Sequence, residues 1–250
     1  MNSGGASGFK YLTSVEDGKT AAEILMKSPL FSHIKNKEFF FNLVSDSELL
    51  LISKNHTLIF EGEDSRKAFF ILRGRMKILI LDAKGHEVVC GMAERHETVG
   101  EAGVISGHKR KATVVADMDS LVLAVKQSRF ISLLEDVQFS RKLLVLVSKR
   151  VDENNFYIFI RHLEVVYRVG AFLMREAERQ NYRLTDPCIV FIPGRNLMAK
   201  LLGTSRETVC RALSRLESYE VIRKLEPCKI EINLDAMKEF LEDVGIVDDE

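Results

Sequence analysis

The sequence lacks the features that define secreted, membrane-spanning and metal-clustered proteins. Its four cysteines, Cys90, Cys188, Cys210 and Cys228, are widely scattered and form no CxxC pair, which argues against a disulfide framework and against a zinc site. No apolar run approaches the roughly 20 residues that a membrane span needs, and residues 1–8 lack the basic start and apolar stretch of a signal peptide. We therefore expect a cytoplasmic protein with no membrane partner and no metal.

A net charge of one sign is also missing, because 36 basic side chains balance 36 acidic ones. This balance excludes a uniformly basic coat for nucleic acid, and it leaves open a basic surface on one domain. The 46% of apolar residues is typical of a globular protein. Because single cores usually stop growing at about 250 residues, we expect 2 domains rather than one in this chain of 250 residues.

The first half of the chain predicts a β-rich module behind a flexible tail. Residues 1–20 mix glycine, serine and charge and are expected to be loosely held. The module itself is assigned to residues 21–127, with short helices over 21–26 and 38–44. Short Ile, Val, Leu and Phe runs broken by turns predict strands over 57–60, 68–72, 76–81, 87–91, 112–116 and 121–125, with a hairpin turn at 82–85.

Residues 128–165 predict a long helix, since no glycine or proline occurs in this stretch. Four apolar side chains on it follow a spacing of three, four and seven residues: Leu144, Val147, Val151 and Ile158. A narrow stripe of this kind favours pairing between the helices of two subunits. An ordinary helix lying on its own domain is the alternative, because Phe156, Tyr157 and Phe159 make its far end apolar on several sides.

Residues 166–250 alternate helix and strand signals and predict a small α+β domain. A helix over 196–202, a break at 203–205 and a second helix over 206–216 predict a helix-turn-helix. Segments 221–224 and 229–232 predict the hairpin of a winged variant, and a further strand is expected over 188–192. Asp235 is expected to cap a last helix over 236–243, ahead of the acidic tail at 247–250.

The second helix of this motif carries groups that can read DNA. Its apolar face is formed by Val209, Leu213 and Leu216. The opposite face carries Arg206, Glu207, Cys210 and Arg211, and Ser205 and Thr208 lie near its positive end. Arginine can donate two hydrogen bonds to guanine, glutamate can accept from cytosine, and hydroxyls can contact phosphate. The alternative is a solvated amphipathic helix with routine charges.

The segment Gly203-Thr-Ser-Arg-Glu-Thr-Val-Cys-Arg211 resembles the recognition-helix motif of the cyclic AMP receptor protein and fumarate-nitrate reductase regulator (CRP/FNR) superfamily. The resemblance implies an α+β fold with an N-terminal cyclic-nucleotide-binding-like β-roll, a long dimerisation helix and a C-terminal winged helix-turn-helix. It also implies a bacterial, homodimeric transcription regulator. Its partners would be double-stranded DNA, as an inverted repeat of GTGA-like half-sites, and RNA polymerase. Gly194 and Leu197 depart from the family pattern around the first helix.

The β module contains a second resemblance, to the phosphate-binding cassette of cyclic-nucleotide domains, in Val99-Gly-Glu-Ala-Gly103 and Arg110-Lys-Ala-Thr113. Amides around Gly100 to Ala102 can cradle an anion, Glu101 can accept from a ribose hydroxyl, and Arg110 can neutralise a phosphate. Cyclic AMP is the effector that this resemblance implies. Lys111 stands where nucleotide binders usually carry Ser or Thr, so a loop with a structural ion pair remains the alternative.

On the long helix, Asn154 and Asn155 lie near the positions where relatives meet the purine, although an asparagine that only sets helix register explains Asn154 equally well.

Other sensor chemistries and catalysis find less support in the sequence. Iron-sulfur sensing would need clustered cysteines near the N-terminus. Haem would need an axial ligand, for which His86, His96 and His108 are the candidates. No nucleophile-base pair or paired carboxylates persuade us of a catalytic site, so we expect no enzyme.

Overall fold

A computed structural model describes residues 9–81, 87–180, 188–242 and 244–245. The chain divides into an N-terminal unit, Met1–Asp152, and a C-terminal unit, Glu153–Glu250. The predicted hairpin turn at 82–85, His86 and the acidic tail at 247–250 lie outside the described residues. In the part of the chain that the structure describes, no helix combines the length and apolarity that crossing a membrane would require.

The N-terminal unit is built on two antiparallel sheets. Their strands are β1 (Phe9–Leu12), β2 (Glu48–Ile52), β3 (Thr57–Ile59), β4 (Lys67–Arg73), β5 (Arg75–Leu81), β6 (Glu87–Glu94), β7 (Thr98–Val99), β8 (Thr113–Ala116) and β9 (Ser120–Lys126). One sheet has the order β1-β2-β9-β4-β7 and the other the order β3-β8-β5-β6. The predicted strands are confirmed within a few residues at each end, while β1, β2 and β7 were not predicted.

Strand β4 is buried on both faces and belongs to two cores. Phe69 and Ile71 pack in a cluster with residues of the second sheet, whereas Phe70 and Leu72 pack against the helices. Successive side chains of a strand point to opposite faces, so two apolar layers require an unbroken apolar run. The sequence Ala-Phe-Phe-Ile-Leu at 68–72 meets that requirement.

Helices cover the outer face of the first sheet: α1 (Val15–Met26), α2 (Lys37–Ser45), α4 (Gln127–Leu134) and the start of α5 (Val137–Ile160); α3 (Glu101–Ser106) follows β7. Five rings, from the segment between α1 and α2 and from α2, β4, α4 and α5, form one cluster: Phe31, Phe40, Phe70, Phe130 and Phe139. The Phe31 and Phe139 rings stack with their centroids 5.2 Å apart. Such pairs contribute about 0.5 to 1.5 kcal/mol each beyond area burial, so the cluster anchors the first turn of α5.

The expectation of a loose tail through residue 20 was wrong for residues 9–20. Strand β1 pairs with β2, from Phe9 opposite Ile52 to Leu12 opposite Leu49. Helix α1 begins directly afterwards, because the Ser14 hydroxyl accepts a hydrogen bond from the Asp17 amide at 3.0 Å. Edge pairing and a capped helix therefore hold a segment whose composition alone suggested disorder.

The predicted helical stretch 128–165 is helical but is not one helix. It contains α4, α5 and the start of α6 (Val165–Arg179). The first break lies at Asp136, whose Oδ1 accepts from the Gln138 and Phe139 amides at 2.8 and 3.0 Å and so caps α5. The second break follows α5, where residues 161–163 make tight i to i−3 bonds before α6 begins. Neither break needs glycine or proline. The absence of these two residues therefore led to the wrong prediction of a single helix.

The C-terminal unit is a winged helix-turn-helix. Its elements after α6 are β10 (Cys188–Phe191), α7 (Arg195–Leu201), α8 (Arg206–Ser218), β11 (Ile222–Glu226), β12 (Lys229–Ile232) and α9 (Leu234–Glu242). The strands form an antiparallel sheet of order β10-β12-β11. The predicted cap at Asp235 was wrong, because the Asn233 side chain accepts from the Ala236 amide at 3.1 Å and α9 begins at Leu234, two residues earlier than predicted.

Candidate functional site

Helix α8 begins at a capped turn that ends α7. Gly203 has a φ of +62°, a conformation that other residues resist. Ser205 is the N-cap, and its hydroxyl accepts from the Thr208 amide at 3.1 Å. The Gly203 turn and the Ser205 cap therefore fix the start of α8 through contacts within residues 203–208.

The two faces of α8 differ sharply in burial. Val209 and Leu216 are wholly buried and Leu213 nearly so, and they attach the helix to the core of the C-terminal unit. The opposite face is exposed and carries the predicted reading groups, namely Arg206, Glu207, Cys210 and Arg211. The structure thus brings the predicted readers together on one accessible helix face.

Short hydrogen bonds pre-arrange the polar face. The Thr208 and Ser205 hydroxyls lie 2.9 Å apart, and Arg211 Nη2 donates to Thr208 Oγ1 at 3.2 Å. A hydrogen bond from its own amide lowers the pKa of Glu207, with further lowering by Ser205, Arg206 and Arg211. Glu207 is consequently held in the ionised form that can accept from a base.

The wing lies directly after the recognition helix. Strands β11 and β12 pair with a bulge between Lys224 and Glu226. Lys224 Nζ pairs with Glu217 Oε2 at 2.7 Å and ties the wing to the end of α8. Arg223, whose side chain is 68% exposed, pairs across the hairpin with Glu231 Oε2 at 2.8 Å.

The cassette of the N-terminal unit is built around Arg110 and Gly100. Arg110 is buried; its Nη1 donates to the Gly100 carbonyl at 2.6 Å, and its Nη2 donates to the Lys67 carbonyl. Burial lowers the pKa of Arg110, while Glu63 and Glu101 oppose that shift. Gly100 has a φ of +77°, and a Cβ there would meet Arg110 Nη1 at 2.6 Å, so close approach of the guanidinium requires glycine.

Glu101 is held by a residue that the sequence analysis missed. Arg150 on α5 donates from Nη1 to Glu101 Oε1 at 2.9 Å and from Nη2 to the Thr98 carbonyl at 2.8 Å. Glu101 Oε2 is buried and accepts no hydrogen bond within the described residues. The contact spans 49 residues of sequence. In the sequence Arg150 stands next to Lys149 among the polar residues of the helix, so no local signal singles it out.

The other predicted effector residues are less enclosed. Ala102 and Lys111 are exposed. Asn154 and Asn155 belong to the C-terminal unit; Asn155 is exposed, and Asn154 Oδ1 is buried and accepts no hydrogen bond among the residues that are described.

The predicted dimer seam is largely uncovered in the single chain. Leu144, Val151 and Ile158 recur every seven residues and are 67, 50 and 58% exposed. Val147 is half-buried and packs against the core of its own unit. Three of the four side chains thus form an exposed apolar stripe, whereas Val147 contributes to the core of its own unit.

Comparison with known families assigns both parts of this architecture. Residues 49–137 match the model of the cyclic nucleotide-binding domain, and residues 167–240 match that of the Crp-like helix-turn-helix domain. The chain belongs to the CRP/FNR superfamily. It is a transcription regulator of that superfamily, with a cyclic-nucleotide-binding domain and a DNA-binding helix-turn-helix domain.

Individual CRP/FNR relatives are distant in sequence. The cAMP-activated global transcriptional regulator CRP of Escherichia coli is 28% identical over 177 residues, covering 66% of this chain and 80% of its own length. A mutant of CooA from Carboxydothermus hydrogenoformans has a TM-score of 0.67 at 17% identity, covering 80 and 90% of the two chains. The c-di-GMP responsive global regulator CLP of Xanthomonas campestris has a TM-score of 0.61 at 16% identity, covering 79 and 99%. These two structural matches share the CRP/FNR fold.

The remaining candidate groups of this CRP/FNR chain are scattered. Among the described residues, no three His, Cys, Asp or Glu side chains come together as metal ligands. Cys210 and Cys228 are exposed free thiols, and Cys188 is buried. His108 is exposed, and burial lowers the pKa of His96.

Proposed function

We propose that this protein is a homodimer that binds an inverted repeat of GTGA-like half-sites in double-stranded DNA. The observation that carries the proposal is the exposed face of α8, where Arg206, Glu207 and Arg211 lie together opposite the buried Val209 and Leu213. Arginine and glutamate at these positions supply donors for guanine and an acceptor for cytosine. Ser205 and Thr208 at the helix start supply phosphate contacts that set its register.

The exposed apolar stripe on α5 supports the proposed dimer. Full burial of such a side chain contributes about 1.5 to 3 kcal/mol, and a second copy would add the part of it that belongs to the still exposed half or more of Leu144, Val151 and Ile158. A two-fold dimer presents two recognition helices to half-sites about one helical turn apart. The protein acts in the cytoplasm of a bacterium, where RNA polymerase is the further partner.

The effector that we propose is a phosphate-bearing small molecule bound at the cassette, with cyclic AMP as the first candidate. Two features fit such a ligand. Arg110 uses two of its five N–H groups on main-chain carbonyls and retains the others for an anion. Glu101 Oε2 is a buried acceptor without a donor in the described part of the chain, and a ribose hydroxyl would satisfy it.

Lys111 bears on the identity of the effector. Its side chain is exposed, so the cassette lacks the hydroxyl that a Ser or Thr would contribute to the phosphate. If Lys111 stays exposed when the ligand binds, we expect weaker binding of cyclic AMP than in a cassette with Ser or Thr at this position. If the amine turns inward when a ligand binds, a more highly charged anion gains a second cation, and cyclic di-GMP is the natural probe of this case.

Two experiments separate this function from its alternatives. A gel shift with random-sequence DNA distinguishes a regulator from a module that uses its winged domain for protein contact, since only the regulator retards DNA. Calorimetry with cyclic AMP, cyclic GMP and cyclic di-GMP, with and without DNA, then tests the effector. Because coupling is reciprocal, a true effector binds more tightly when operator DNA is present. A ligand-independent regulator with a vestigial pocket shows DNA binding and no heat with any nucleotide.

A further inference from the structure

Arg168 joins two turns of the C-terminal unit. Its Nη1 donates to the Leu202 carbonyl at 2.6 Å, where α7 ends and the turn of the helix-turn-helix begins. Its Nη2 donates to the Arg161 and Leu163 carbonyls, at 2.8 and 3.0 Å, in the turn that follows α5. Helix ends leave main-chain carbonyls without partners inside the helix. A single guanidinium satisfies three carbonyls at two such ends.

The charge of Arg168 is held by these carbonyls in a partly buried place. Burial lowers the pKa of Arg168, and the neighbouring charge of Arg161 lowers it further. Arginine stays protonated under such conditions, and its planar fork reaches several acceptors at once, which lysine cannot do. The geometry therefore depends on arginine at this position.

The turn that follows α5 also contacts the recognition helix, α8. Glu164, the residue that precedes α6, accepts from Arg215 Nη1 of α8 at 2.7 Å. Arg215 Nε also donates to the Tyr219 hydroxyl at 2.7 Å, which fixes the direction of the guanidinium. Both members of the ion pair are about half exposed, so its worth is small by itself. Together with Arg168, however, it ties the turn to both helices of the DNA-binding motif.

We propose that Arg168 and the Glu164–Arg215 pair form a clamp that fixes the angle between the end of α5 and the recognition helix, and so sets the half-site spacing that the dimer accepts. Residues 161–164 are the connection whose backbone torsions determine that angle. The clamp holds this connection against the helix-turn-helix from two sides. Arg168 is a positioning residue in this account, and the inference rests on the proposed dimeric binding of DNA.

The dependence of DNA affinity on half-site spacing tests the clamp specifically. A residue that only stabilised the fold would change the affinity for all spacings together. Adding one base pair between half-sites rotates one of them by about 35° around the DNA axis, given about 10 to 10.5 base pairs per turn. A dimer with a rigid connection must strain the DNA or lose contacts. A dimer with a released connection can follow the rotation, while each recognition helix reads its bases as before.

The test uses full-length protein and the sequence that wild type selects from random DNA. Fluorescence anisotropy measures the affinity for that operator, for versions one base pair longer and shorter, and for a version with one half-site base changed. The variants are Arg168→Gln, Arg168→Lys and Glu164→Gln. Lys238→Gln, at an exposed position on α9, is the matched control for the loss of one positive charge. Thermal unfolding of each variant reports whether it folds, and Glu164→Gln and Arg168→Lys keep the test usable if Arg168→Gln does not.

We expect wild type and Lys238→Gln to lose about tenfold or more in affinity on the altered spacings, comparable with one mismatched base pair. Arg168→Gln should lose less than about threefold between spacings, with Arg168→Lys and Glu164→Gln in between. All of them should keep the full penalty for the changed base. An unchanged spacing penalty in the folded variants overturns the clamp while leaving DNA binding intact. Failure of wild type to select any DNA overturns the proposed function and the clamp with it.

Discussion

Arg150 on α5 and Glu101 in the cassette form an ion pair of 2.9 Å whose side chains are only 15 and 5% exposed. Glu101 is the residue that we propose meets the effector, and α5 is the helix that we propose pairs the subunits. The carboxylate that a ribose hydroxyl would approach is therefore already shared with that helix. Binding of a ligand at Glu101 must either join this pair or rearrange it.

Replacing Arg150 by methionine should destabilise the N-terminal unit more than loss of an ordinary surface pair. Removing one partner of a buried ion pair costs about 3 to 5 kcal/mol, because the other charge is left unpaired; the partial exposure of Arg150 favours the lower end. Urea unfolding measures the loss. Arg66→Met is the control, since its pair with Asp64 is exposed on both sides and should contribute about 1 kcal/mol or less.

A double substitution decides whether the unpaired carboxylate is the cause. Adding Glu101→Gln to Arg150→Met removes the stranded charge and should restore part of the lost free energy of unfolding. Equal losses from Arg150→Met and Arg66→Met would show that the buried pair has no special weight.

Replacing Glu207 by alanine should relax base preference at one position of the half-site. The loss on the matched site should be about 1 to 3 kcal/mol, because one acceptor for a base is removed. Binding titrations against all four bases at each half-site position measure the preference. Thr208→Val removes a proposed phosphate contact and the hydroxyl that accepts from Arg211, so it should weaken every sequence while leaving the base preference at the Glu207 position unchanged. A Glu207→Ala protein with an unchanged order of preference would refute this assignment.

A carboxylate at Leu144 should split the dimer. Leu144 is 67% exposed in the protomer, so Leu144→Glu should leave its fold intact while placing two charges against each other across the two-fold axis. Val147→Glu should split the dimer too, but it also disturbs the core against which Val147 packs. Sedimentation measures the oligomeric state. Lys149→Glu is the control, about 140° around the same helix from Leu144; an intact Leu144→Glu dimer would move the interface elsewhere.

Serine at position 111 should strengthen binding of cyclic AMP. Lys111 is exposed to solvent, and a Ser hydroxyl would add a charge-assisted hydrogen bond to phosphate, worth about 1.5 to 3 kcal/mol, or roughly tenfold to hundredfold in affinity. Calorimetry compares wild type, Lys111→Ser and Arg110→Ala, of which the last should lose binding. Tighter binding of cyclic di-GMP by wild type than by Lys111→Ser would show instead that the lysine turns inward to a more highly charged anion.

The DNA-binding motif could be predicted because its signals are local. The cap at Ser205, the break at Gly203 and the apolar spacing of Val209, Leu213 and Leu216 all fall within 14 residues of sequence. The contact between Arg150 and Glu101 could not be predicted in this way, because it joins elements that are brought together only by the packing of α5 on the sheet. Strand β1 was missed for the same reason, since its stability comes from pairing with β2 rather than from its own four residues.

Local signals also misled where two residues offered the same chemistry. Asn233 and Asp235 can both cap a helix, and the sequence does not distinguish them; the structure assigns the cap to Asn233. Two residues after α4 ends, the Asp136 side chain caps the start of α5, inside a stretch without glycine or proline.

Sequencing of the DNA that wild-type protein retains from a random pool tests the central claim most directly. A two-fold dimer reading through Arg206, Glu207 and Arg211 predicts an enriched inverted repeat, with GTGA-like half-sites about one helical turn apart. Enrichment should vanish with a combined Arg206→Ala and Glu207→Ala protein that still folds. A retained pool with no enriched sequence, or with a single half-site and no repeat, would contradict the account.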